Sequence, residues 1–271
     1  MTRSATNRRR ALVLIGTSGW TYDGWRGPFY PREVPKRAWL AYYATQFGTT
    51  EINGSFYRTP SLEAVRGWRD QTPDGFVFAW KASKFITHWK RLTSKCENSI
   101  ALMQTRLDAL ASKAAAVLFQ LPARFSKDSG RLDDFLTMLP RGYRYAFEFR
   151  DKSWYDDDVL EILHAHDVSL CLSDHRDAPS PWEVTASHVY VRGHGPGGHY
   201  QGSYSARTLR RWAECIVAWQ RQRRSVLVYF DNDQKAAAPK DARRLSDLLC
   251  VSTPTRASSI IARAASLSHG N

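Results

Sequence analysis

Tyr145-Ala146-Phe147-Glu148-Phe149-Arg150 reads as a β-strand with two unlike faces. Side chains alternate along a strand, so Tyr145, Phe147 and Phe149 share one face and Ala146, Glu148 and Arg150 the other. The aromatic face suits packing under helices. The other face begins small and ends with two opposite charges, which places it inside a barrel with its charges at the C-terminal end. A lone buried charge costs several kcal/mol, roughly, even after relaxation. Glu148 and Arg150, two residues apart on one face, offset that cost for each other. The pair has two readings: a structural ion pair lining a barrel mouth, or part of a functional site.

The same rhythm of β-rich run, polar residues and helical stretch recurs along the chain. Strands are predicted at 12–17, 49–53, 76–81, 116–121, 145–150, 169–174, 188–192 and 226–231, with helices at 36–47, 61–70, 99–112, 132–139, 157–166, 206–221 and 239–249. The sixth connection, 176–187, carries a weaker helical pattern and reads as a turn or short helix. The clearest helix has Ser205 as N-cap and Leu209, Trp212, Ala213, Ile216 and Val217 on one face. Strands alternating with helices imply parallel pairing and right-handed crossovers. The expected fold is therefore α/β, a single (β/α)8 TIM-barrel-like domain over 12–250. A basic flexible tail is expected over 1–11 and a loose C-terminal tail over 251–271.

Most of the strands end polar. Val77, Ala79 and Lys81 share a face, as do Glu51, Asn53 and Ser55. Leu172-Ser173-Asp174 ends acidic, Val191-Arg192 ends basic with His194 two residues on, and Phe230-Asp231-Asn232-Asp233 ends in a polar cluster. In a (β/α)8 barrel these ends meet at the C-terminal face, where active sites of the fold lie. Glu148, Asp231 and Lys81 are the candidate catalytic groups. Trp20, Tyr22, Glu51, Asn53, Arg150, Arg192, His194 and Asn232 are the candidate substrate-binding residues.

The 271 residues carry a formal net charge of +13, which favours anionic partners. Part of that charge lies in Arg8-Arg9-Arg10 and along the 206–221 helix. No stretch approaches the roughly 20 apolar residues of a membrane span, and the short run after Arg10 reads as a first strand rather than a signal peptide. A cytoplasmic protein with no membrane partner is expected. The four cysteines are far apart and form no CxxC pair, which argues against a disulfide framework or cysteine-rich zinc site. HExxH and GxSxG are absent, and no metal and no cofactor are assigned. Gly193-His194-Gly195-Pro196-Gly197-Gly198 reads either as an anion cradle or as a plain surface turn. Lys81, Lys84, His88, Lys90 and Arg91, with Trp89 among them, form the densest basic-aromatic cluster.

Gly16-Thr17-Ser18-Gly19-Trp20, Glu51-Ile52-Asn53 with Ser55-Phe56-Tyr57-Arg58, Phe78-Ala79-Trp80-Lys81, Phe119-Gln120-Leu121-Pro122, Phe147-Glu148-Phe149-Arg150, Tyr190-Val191-Arg192 and Tyr229-Phe230-Asp231-Asn232-Asp233 occur in that order. Together these blocks resemble the YecE-like family, over nearly the whole of 15–249. The resemblance implies a TIM-barrel-like fold and little chemistry, because the family is known as a domain of unknown function. Two positions depart from its pattern. Asp151 stands where a His usually follows the Glu-Phe-Arg block, and Asp241 replaces the Asn of an Asn-Ala pair.

Three functions remain open on sequence. The first is an enzyme acting on an anionic or polyhydroxylated (sugar-like) small molecule at the barrel mouth. The second is a nucleic-acid-binding or processing protein. The third is a non-catalytic adaptor on a barrel scaffold, which a mouth with all its charges internally paired would favour.

Overall fold

The two-faced strand at Tyr145 is one of eight parallel strands in the computed structural model of this chain, which describes residues 11–250. Apart from Ala11, both expected tails lie outside the described residues. The strands are β1 (Val13–Thr17), β2 (Thr49–Ile52), β3 (Val77–Lys81), β4 (Ala114–Gln120), β5 (Tyr145–Glu148), β6 (Ser169–Ser173), β7 (His188–Gly193) and β8 (Ser225–Phe230). Seven α-helices connect them: α1 (Trp39–Gln46), α2 (Leu62–Asp70), α3 (Glu97–Leu110), α4 (Ser129–Thr137), α5 (Asp157–Ala165), α6 (Ala206–Arg221) and α7 (Ala237–Leu248). Each predicted element is present within a few residues of its expected ends. The sheet runs β1-β8-β7-β6-β5-β4-β3-β2, a nearly closed (β/α)8 barrel. No helix in the described residues is long and apolar enough to cross a membrane.

The outward aromatic face packs as the alternation requires. Phe147 stacks on Phe119 with ring centroids 5.1 Å apart, and Phe135 of α4 closes on Phe119 edge-to-face at 5.2 Å. The inward face is filled unevenly. Ala79, Ala116 and Ala146 are small, and the space they leave is taken by Tyr190 and Tyr229 from the opposite wall. Small residues on three neighbouring strands thus make room for large polar side chains from β7 and β8.

The sixth connection holds no helix. Instead it satisfies backbone groups of β6 with side chains. Ser180 Oγ accepts from the Ser173 amide at 2.9 Å, and Thr185 Oγ1 accepts from the Leu170 amide at 2.7 Å. A buried amide without a partner is costly, so a Ser and a Thr placed there do work that a helix would leave undone.

The seam between β1 and β2 is where the ring closes most thinly. One parallel bridge, Ser18 with Glu51, joins the two strands. Tyr43 of α1 spans the gap below it. Its hydroxyl accepts from the Thr17 amide at 2.9 Å and lies 3.1 Å from the Thr49 carbonyl, to which it donates. Burial raises the Tyr43 pKa to about 12, so it stays a donor. A Cβ on Gly16 would lie 2.1 Å from Thr49 O, so only glycine lets β1 approach this closely. Tyr43→Phe is expected to lower unfolding stability by about 1–3 kcal/mol, the cost of an unpaired buried amide. Gly16→Ala is expected to cost at least as much, because backbone must move. Denaturant unfolding, with amide exchange at Thr17 as the local probe, checks both; a neutral Tyr43→Phe would show that the seam does not depend on this hydroxyl.

Candidate active site at the barrel mouth

Alternation directs Glu51, Lys81, Glu148, Ser173 and Arg192 inward at the ends of β2, β3, β5, β6 and β7. Ser18 and Asp231 follow directly after β1 and β8. Arg192 sits at the centre, fully buried. Its guanidinium grips Glu51 at both oxygens, Nε to Oε2 at 3.1 Å and Nη2 to Oε1 at 2.8 Å. Nη1 donates to Glu148 Oε2 at 2.8 Å, and Nη2 to Asp231 Oδ2 at 2.9 Å. One cation therefore holds three carboxylates from three strand ends. The planar five-donor fork of arginine suits this better than the three donors of a compact lysine ammonium.

Each carboxylate has further donors. Glu51 also accepts from the hydroxyls of Ser18 and of Tyr190, the latter at 2.7 Å. Glu148 Oε1 accepts from Arg150 Nη2 at 2.7 Å and from Ser173 Oγ at 3.1 Å. Burial pushes both glutamates up, but the guanidinium charges outweigh it: Arg192 holds Glu51 below its ordinary range, and Arg150 with Arg192 holds Glu148 well below. Both stay ionised acceptors. For Arg192, burial works against the charge and the three carboxylates overcome it. His194 is also fully buried. Its Nε2 faces guanidinium nitrogens of both Arg150 and Arg192 at 3.1 Å, which assigns the ring proton to Nδ1, toward Asp174.

Above this floor the pairing is incomplete. Lys81 is 5% exposed, and its Nζ has a single hydrogen bond, to Asn53 Oδ1 at 3.2 Å, while lying 4.7 Å above the Phe56 ring. Among the described residues no carboxylate lies within 4.0 Å of it. Burial lowers its pKa to about 8, Arg192 acting in the same sense and Asp231, Glu51 and Glu148 opposing. Asp231 Oδ1 carries no hydrogen bond among the described residues, its partner oxygen alone being held by Arg192. Arg150 donates to Tyr200 Oη at 2.9 Å, but its Nε is buried with no partner. Tyr22, Asn53, His88, His175 and Tyr200 line the rim, half-buried. His88 and His175 are both lowered to about 4, by burial first and then by neighbouring cations, so both are neutral at pH 7.

The candidates read from sequence separate into groups. Glu51, Glu148, Arg150, Arg192, His194 and Asp231 meet in one network, with Lys81, Asn53 and Tyr22 at its rim. Trp20 is not among them. It packs away from the mouth, edge-on to Trp68 at 5.4 Å and against Phe78, as the core layer beneath the helices demands. Asn232 turns outward as well, donating to Gly202 O at 2.7 Å and to Asp241 Oδ2 at 2.9 Å. Asp241 also accepts from the Tyr204 amide and Arg244, and so anchors α7. Asp151 accepts from the backbone amide and hydroxyl of Ser153, capping a short turn. In the glycine-rich loop a Cβ on Gly198 would lie 2.3 Å from Arg176 N, so this glycine permits close packing on the β6 loop. Ser18, Ser173 and Tyr190 were missed. Their one signal was position, since Ser173 and Tyr190 each lie two residues from another inward side chain. Among the described residues no three His, Cys, Asp or Glu side chains are grouped to hold a metal ion.

The free amine makes a stability prediction. The folded pKa of Lys81 is depressed, so the unfolded chain binds more protons between about pH 8 and the ordinary lysine value near 10.5. The buried charge therefore destabilises the fold below about pH 8, and that penalty fades as pH rises. Lys81→Met is expected to stabilise the protein by up to about 3 kcal/mol near pH 7, with a smaller gain near pH 9.5. Denaturant unfolding at both pH values measures this. A loss of stability near pH 7 would mean the ammonium is well paired in the native state.

A family model described as a protein of unknown function, DUF72, matches residues 14–262. The chain is 31% identical to the UPF0759 protein YecE of Escherichia coli over 171 residues, which spans 61% of this chain and 60% of that protein. It is 25% identical to the UPF0759 protein YunF of Bacillus subtilis over 270 residues, covering 88% of this chain and 95% of its relative. A DUF72 family protein from Thermotoga maritima superposes with a TM-score of 0.79 at 25% identity, over 88% of this chain and 99% of that one. One from Enterococcus faecalis does so at 0.76 and 20% identity, over 89% and 96%, a likeness of fold. With its family match running almost end to end and its barrel shared with solved members, this chain belongs to the DUF72 family, the YecE-like proteins of unknown function.

Proposed function

We propose that the barrel mouth is the active site of an enzyme acting on a small anionic or polyhydroxylated molecule. One observation carries this reading: Lys81 and Asp231 Oδ1 lack charged partners at the rim of a network whose other carboxylate oxygens are all held by donors. A structural network has no reason to leave its outermost amine and carboxylate oxygen open. An amine near pKa 8 is poised to give or take a proton at neutral pH, and Asp231 offers a second group. The acid–base role moves away from Glu148, whose two oxygens are saturated and which stays ionised; Glu148 positions Arg150 and Arg192. Arg150, with a buried Nε lacking a partner, supplies the anion contact. Tyr22, Asn53 and Tyr200 offer hydroxyl and amide groups to a polyol. A mouth with all its charges paired internally would favour the adaptor reading, and Lys81 has no charged partner within 4.0 Å among the described residues.

The test is a thermal-shift screen with sugar acids, sugar phosphates and small organic acids. A true ligand at about 100 times its Kd contributes about 2.7 kcal/mol, a rise of roughly 5–10 °C for a domain of this size. Asp231→Asn and Lys81→Met should remove the shift while leaving a cooperative melt. If the variants keep the full shift, the ligand binds elsewhere and this assignment of the mouth fails.

A second reading rests on a different surface. The segment after β3 forms a wide helical turn, Phe85–Trp89, that exposes Phe85 and Trp89, with Tyr57 beside them. Lys84 Nζ lies 5.4 Å from the Trp89 ring and 5.9 Å from that of Tyr57. Exposed rings with a cation between them suit single-stranded nucleic acid, as does the net charge of +13. Such binding should weaken steeply between about 50 and 200 mM salt, and more so than in Trp89→Ala with Lys84→Ala. Binding that ignores salt, or is absent, removes this reading.

A further inference from the structure

We infer that Lys81 is a nucleophile that forms an imine with an aldehyde or ketone bearing a carboxylate or phosphate. The inference rests on the mouth being an active site, as proposed above, and assigns its chemistry. Among the described residues, Lys81 at the end of β3 is the only primary amine in the mouth network. Its Nζ touches one neutral acceptor, Asn53 Oδ1, and one aromatic face, Phe56. A lysine that served only to balance charge would pair with Glu51, Glu148 or Asp231, yet all three turn to Arg192 instead. The network thus supplies a cation, Arg192, that absorbs the carboxylates and keeps them off the amine. Burial then favours the neutral form, the one that carries the lone pair.

The surroundings fit the remaining needs of the reaction. The Nζ lone pair bonds to the carbonyl carbon to give a carbinolamine. One nitrogen proton passes to the carbonyl oxygen to complete the carbinolamine; the second passes to its hydroxyl, which leaves as water, and a carbon–nitrogen double bond remains. Amine plus carbonyl gives imine plus water, with no oxidant or reductant. Asp231 Oδ1, open at the rim, is placed to carry these protons. Arg150, 7% exposed and with an unpartnered Nε, is the group left to hold an anionic substituent. Tyr22, which donates to Ser18 O at 2.6 Å, and Asn53 stand over the entrance.

Reductive trapping tests this on the full chain. The protein is incubated near neutral pH with glyoxylate, pyruvate or glyceraldehyde 3-phosphate, then with cyanoborohydride, and the adducts are mapped by peptide mass spectrometry. Glycolaldehyde, which is uncharged, is run in parallel. Lys81 is expected to be labelled at least ~10-fold faster than the more exposed Lys84 and Lys90, which serve as internal controls in the same molecule. The anionic carbonyls are expected to label it faster than glycolaldehyde, and a folded Lys81→Arg variant to lose the adduct. Labelling that follows exposure alone, with Lys81 no faster than Lys84, overturns the inference. So does a carbonyl compound that raises the melting temperature without being trapped, a result that leaves the mouth intact as a binding site. Equal labelling by glycolaldehyde overturns the anionic substrate class.

Discussion

Arg192 is the constraint on which the barrel mouth depends. A guanidinium buried without partners is prohibitive, and the effective penalty per buried ion is still several kcal/mol, roughly, in real proteins. Here that cost is met by six hydrogen-bonding contacts, to Glu51, Glu148, Asp231, Ser18 and His194. Each carboxylate comes from a different strand end, so the ion network also sets how far β2, β5 and β8 slide relative to β7. Loss of the cation would leave three carboxylates facing one another with only hydroxyls and Arg150 to answer them. The wall opposite is built of alanines: Ala79, Ala116 and Ala146 leave the volume that Tyr190 and Tyr229 occupy.

The chemistry at the rim follows from the floor. Arg192 takes Glu51 in a two-point grip and also reaches Glu148 and Asp231, and among the described residues no carboxylate comes within 4.0 Å of Lys81. The lysine is desolvated but not paired, and its proton is held weakly. The same logic makes Glu148 a poor proton donor despite its place in the centre, since two guanidinium groups stabilise its ionised form. Charge in this mouth is therefore graded by depth, locked below and labile above.

Much of this was legible in the sequence, and the misses have physical causes. Glu51, Glu148 and Arg192 were visible because period-two alternation is a local property: within a strand, a residue two beyond an inward side chain also points inward. Arg150 and Asp231 carry the pattern just past the ends of β5 and β8, and Asn232, next to Asp231, turns outward to α7 as it requires. Trp20, three residues beyond β1, breaks the pattern and packs into the core. At the sixth connection, expected as a turn or short helix, the chain makes a turn, and Ser180 and Thr185 serve β6 through side-chain bonds that leave no periodic signal. Gly193–Gly198 reads by composition as an anion cradle or a plain surface turn; that Gly195 and Gly198 lie against the backbone of Gln201 and Arg176 is a demand only neighbouring segments make.

The sequence by itself determined that this is a (β/α)8 barrel and which side chains face its interior, since both follow from short-range periodicity and from the handedness of strand–helix–strand units. It also carried the family signature, block by block. It could not decide who pairs with whom at the mouth. Arg192 and Glu51 are far apart along the chain, and their meeting depends on closure of the whole ring through the thin β1–β2 seam. Only that closure decided that Arg192, and not Lys81 or Arg150, would take the three carboxylates. The reason is geometric: the planar fork of Arg192 reaches three strand ends at once, while among the described residues the Lys81 ammonium, held beside β2, reaches only Asn53.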